Sequence, residues 1–110
     1  VKELSSYQVQ LQKPLKTNQI MKLYKSVTKN NCDLYLNQKH LIADAGHLPK
    51  LLSFFLFMDI DTPFVIIIDG EHVDDVYDEI EAEWMDSIVE SSCRRKYCDS
   101  LVNSDTSISV

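Results

Sequence analysis

A chain of 110 residues with 45% hydrophobic composition supports one compact domain and is too short for two ordinary ones. Its formal net charge of −6 argues against nucleic acid, and its longest apolar run, Leu51 to Met58, is far below the roughly 20 residues of a membrane-spanning helix. Two glycines and three prolines disfavour a loop-rich or repeat architecture, while three irregularly spaced cysteines do not read as a disulfide framework. The expected setting is a reducing cytoplasm.

Tyr7, Val9 and Leu11 alternate with Gln8, Gln10 and Gln12, which predicts a strand over 6–12 with one wet face. Thr17 is the expected cap of a helix in which Ile20, Leu23, Tyr24 and Val27 recur at i, i+3, i+4 and i+7. Asn30-Asn31 offers that helix a left-handed stop. Cys32, Leu34 and Leu36 predict a second strand, and a tight turn near Gln38-Lys39 returns the chain as a third through Ala43.

Pro49 suits the first turn of a short apolar helix over about 48–57, followed by a loop at Asp59–Pro63. Phe64–Ile68 is the strongest strand pattern, stopped by Asp69-Gly70. In the last helix Val73, Val76, Ile80, Trp84 and Ile88 form one stripe, with acidic residues outside it. The order βαββαβα predicts an α/β open-faced sandwich: a four-stranded, mainly antiparallel sheet with three helices on one face. Residues 1–91 form the expected domain. The Ser-rich segment 92–110, with Cys93 and Cys98, reads as a flexible tail.

His40, His47 and His72 with the cysteines lack metal-ligand spacing, so neither metal nor cofactor is expected. The acidic run from Asp69 to Glu90 contrasts with Lys13, Lys16, Lys22, Lys25 and Lys29 in the first third, a polarity able to orient a partner or a second copy. The short helix is the most informative feature. His47, Leu48, Leu51, Leu52, Phe54 and Phe55 are its candidate partner-binding residues, because it holds more apolar side chains than one core-facing stripe needs.

The stretches "VQLQKPLKTNQIMKLYKSVTKNNCDLYLN", "HLPKLLSF" and "TPFVIIIDGEHVDDVYDEI" resemble, in element order and length, the histidine phosphocarrier (HPr) family of the bacterial sugar phosphotransferase system. The resemblance implies a phosphotransfer site at the junction of the first strand and first helix. Lys16 stands there where the family has its active histidine, Asn18 where it has arginine, and Gln19 where it has proline. A protonated lysine is no nucleophile at neutral pH, and without the arginine the bidentate phosphoryl clamp is gone. The family's regulatory serine falls near His47, beside Ala45 and Gly46, and no hydroxyl replaces it.

Lys16, Asn18 and Gln19 therefore form a degenerate junction whose remaining use is anion binding at a helix start, with a solvated helix end as the plainer alternative. The expected function is non-catalytic, acting through a protein partner or self-association in bacterial regulation, with no nucleic acid and no membrane. Two alternatives stay open: a phosphocarrier with its phosphorylatable histidine relocated to His47, and a ferredoxin-like ligand-sensing domain.

Overall fold

The computed structural model describes residues 3–98. Five strands and three helices follow one another as β1 (Glu3–Leu11), α1 (Thr17–Lys29), β2 (Asp33–Gln38), β3 (Leu41–Asp44), α2 (Leu48–Phe57), β4 (Phe64–Gly70), α3 (Val73–Glu83) and β5 (Ile88–Cys98). The sheet order is β3-β2-β4-β1-β5, and every neighbouring pair is antiparallel. Strands β1 to β4 with the three helices form the expected open-faced sandwich.

The period of two sorts each strand's side chains between two environments. Val9 and Leu11 of β1, Leu34 and Leu36 of β2, and Phe64, Ile66 and Ile68 of β4 are buried in the core with the helices. Gln8, Tyr35 and Asn37, at the intervening positions, are exposed. Beneath the helices, Leu51 and Phe54 of α2, Val73, Val76 and Ile80 of α3, and Ile20, Leu23 and Val27 of α1 complete the core. Each such fully buried large side chain contributes roughly 1.5–3 kcal/mol. Among the described residues no helix is long and apolar enough to cross a membrane.

Local chemistry sets the element ends. Asn30 closes α1 by donating its Nδ2 to the Ser26 carbonyl at 2.8 Å, and Asn31 takes the left-handed conformation (φ 52°) that stops the helix. Gly70 ends β4 at φ 155°, where a Cβ would lie 2.9 Å from the Cys32 Cβ. Both the torsion and the close approach of Cys32, just before β2, require glycine there.

Three expectations are corrected. Lys16, not Thr17, is the cap residue of α1. The last helix ends at Glu83, with Trp84 as its C-cap, because the Ser87 and Ile88 amides turn back onto the Trp84 carbonyl at 2.7 and 3.1 Å. Ile88 consequently opens a strand instead of extending the helical stripe. That strand, β5, runs through 92–98, where a flexible tail was expected, and pairs with β1 across Glu3–Leu11 with two irregularities. Pairing to β1 is a backbone affair that closes an otherwise open row of N–H and C=O groups, so weak side-chain apolarity does not forbid it. Residues 99–110 of the expected tail lie outside the described residues.

Candidate binding groove

The short helix α2 carries apolar residues in every direction, and the fold divides them. Leu51 and Phe54 face inward at 0% and 2% exposure. They are core, which corrects their assignment to a partner-binding surface: the 3.6-residue period places them on the stripe that meets β4 and β3. Phe55 is half-buried and edge-to-face with Phe54, Phe64 and Trp84, at centroid distances of 5.3, 6.0 and 5.9 Å. Leu48 is also half-buried. Leu52 (37% exposed) and Leu56 (76%) project from the remaining flank, while Phe57 is exposed without lining the same cleft. His47 is exposed as the N-cap of α2; its amide, not its imidazole, makes the local bond, to the Asp44 carbonyl at 3.0 Å.

Leu52, Phe55, Leu56 and Met58 form one wall of a groove of about 580 Å³. Leu11, Pro14, Leu15, Thr17 and Ile20 form the other, at the junction of β1 and α1, and Ile60 closes one end. Nine of these ten residues are apolar, and Thr17 supplies the one polar side chain among them. Its volume is that of a binding cleft. The structure thus brings the junction and the short helix together, although through Pro14, Leu15 and Thr17 more than through Lys16, Asn18 and Gln19.

Gln19 is a structural residue. Its Oε1 accepts the Lys16 amide at 2.8 Å, and its Nε2 donates to the Glu83 carbonyl at 3.2 Å, tying the start of α1 to the end of α3. Lys16 and Asn18 remain exposed at the helix start.

The loop wall is held by glutamines that sequence reasoning did not single out. Gln38, 4% exposed, donates to the carbonyls of Asp59 (2.7 Å) and Thr62 (2.8 Å) and accepts the Asp59 amide (2.7 Å). Gln10 donates to the Ile60 carbonyl at 2.9 Å. Within the loop, the Asp61 amide and the Thr62 hydroxyl hydrogen-bond the Asp59 carboxylate, and together hold its pKa below the ordinary carboxylate value. The only advance signal for Gln38 was its alternation in phase with Leu34 and Leu36. For Gln10 there was none, since it sits on the face expected to be wet.

A second cleft, polar and of about 370 Å³, lies at the opposite end of the sheet and includes Cys32, Asp33, Asp69 and His72. Burial, reinforced by Asp33 and Asp69, raises the Cys32 thiol pKa, so it stays protonated and is a poor nucleophile. Among the described residues no His, Cys, Asp and Glu side chains gather in a metal-holding group. Searches against family models, curated proteins and solved structures find no match to this chain.

Proposed function

We propose that this chain is a non-catalytic module that binds a protein partner through the groove between α1 and α2. One observation carries the reading: Leu52 and Leu56 are exposed beside the buried Leu51 and Phe54 that seat α2 in the core, and they wall an apolar cleft of about 580 Å³. Exposed leucines arranged around a cleft are what a docking surface needs. A regulatory role in bacteria, related to that of HPr-like proteins, suits such a module. The replacement of phosphotransfer residues by Lys16, Asn18 and Gln19, the last engaged as a cap and strap, supports binding over phosphoryl transfer.

The test is site-specific photocrosslinking in the native cell, with benzoylphenylalanine placed at Leu56 or, as a control, at exposed Ile42 on the edge strand β3. A discrete protein adduct from position 56, lost when Leu52→Gln is added and absent from position 42, is the expected result. Equal labelling at both positions, or none at position 56, overturns the proposal. A phosphohistidine at His47 after incubation with phosphoenolpyruvate and the phosphotransferase enzyme would replace it with the carrier reading.

A further inference from the structure

Resting on the protein-binding reading of this groove, we infer that its occupant is an acidic amphipathic helix of the partner, apolar along one stripe and carboxylate-rich on the flanks. The backbone geometry points to a helix. Among the described residues the only strand that lines the groove is β1, through Leu11; β1 pairs with β4 as far as Val9 and with β5 at Leu11 itself, and the Leu11 carbonyl accepts the Gln10 Nε2 at 3.1 Å. An occupant gains no ladder of backbone hydrogen bonds there and must satisfy its own, which a helix does while offering side chains at i, i+3, i+4 and i+7. Leu56 stands largely in solvent, so a single acyl chain in the cleft would leave much of that wall wet. A helix roughly 10–12 Å across can cover it.

Charge complementarity points to acidity. Residues 4–32, which include the whole α1 wall, contain five lysines and no Asp or Glu, in a chain whose net charge is −6. Lys22 is engaged by Glu83 at 3.2 Å on the other flank of α1. Lys13, Lys16, Lys25 and Lys29 are exposed, with no carboxylate in ion-pair range among the described residues. Lys13 adjoins Pro14, and Lys16 adjoins Leu15 and Thr17, so two of them are chain neighbours of lining residues. Two carboxylates lie near the loop end: Asp59, drawn into its own loop and 3.9 Å from Lys39, and exposed Asp61. The lysine-bearing α1 side therefore favours carboxylates and disfavours lysines, in a chain whose remaining residues are net acidic.

The test is a display library of helical peptides about 14 residues long, with leucines fixed along one stripe and the flanking positions randomised. It is selected on the whole protein and counter-selected on Leu52→Gln/Leu56→Gln, whose fold is checked by circular dichroism. Groove-dependent clones are expected to be enriched in Asp and Glu and depleted in Lys and Arg. Their affinity should fall about three- to tenfold in Lys13→Gln/Lys16→Gln/Lys25→Gln and weaken with salt. Groove-dependent clones with neutral or basic flanks overturn the acidic-helix inference and leave the protein-binding groove standing. If no clone depends on the groove, that reading falls as well. Saturable binding of a dansyl fatty acid, lost in the Leu52→Gln/Leu56→Gln variant, would replace the helix with an amphiphile.

Discussion

Helix α1 has two flanks, and the chain treats them in opposite ways. On the α3 flank the seam is shut: Gln19 bridges to the Glu83 carbonyl, Lys22 pairs with Glu83, and Leu23, Ile80 and Trp84 leave only about 30 Å³ between them. On the α2 flank an apolar groove of about 580 Å³ stays open, and Lys13 and Lys16, chain neighbours of its lining, have no ion-pair partner among the described residues. Polar straps and a tryptophan do not merely stabilise one seam. By fixing α1 against α3, they leave a span toward α2 that the leucines of the short helix do not fill. The closed seam is where stability is concentrated, and the open one is where binding is available.

The largest expected effect tests the closed seam. Trp84→Ala, at a residue 1% exposed, removes a side chain packed against Phe64 and Phe55 and should cost about 3–5 kcal/mol in urea unfolding. A loss below about 1 kcal/mol would mean that this seam collapses to fill the space and is not rigid. Gln38→Leu comes next. Two carbonyls and an amide of the groove's loop lose their partner, for an expected loss of about 2–4 kcal/mol. Faster hydrogen exchange should appear at Asp59, and its absence would show that water replaces the glutamine.

Gln19→Ala removes the α1 cap bond and the strap to α3 together, with an expected cost of about 1–2 kcal/mol. A neutral result would assign the closed seam to apolar packing alone. Leu56→Gln should change stability by no more than about 0.5 kcal/mol while removing partner binding. Should it unfold the domain instead, the open flank is as structural as the closed one and the contrast disappears.

The element order as far as α3, the identity of the buried strand faces and the antiparallel sandwich were all legible in the sequence. Alternation and the helical period are local consequences of burying one face, and Val9, Leu34, Ile66 and Val76 declare it. The left-handed stop at Asn31 was equally local. The sequence also carried the lysine-rich, acid-free segment from 4 to 32 and the surplus of apolar residues in α2.

It could not apportion that surplus. Leu51 and Leu52 are chemically identical neighbours, and only the angle at which α2 settles on β3 and β4 makes one core and the other groove wall. The glutamines tell the same story. Gln8 is exposed, whereas Gln10, Gln19 and Gln38 reach backbone groups tens of residues away that a local pattern cannot place. Strand β5 escaped notice because its partner is the backbone of β1, and backbone hydrogen bonding leaves little trace in side-chain composition. Local periodicity decided which faces are buried. Long-range packing decided which apolar residues were left over, and therefore where a partner can bind.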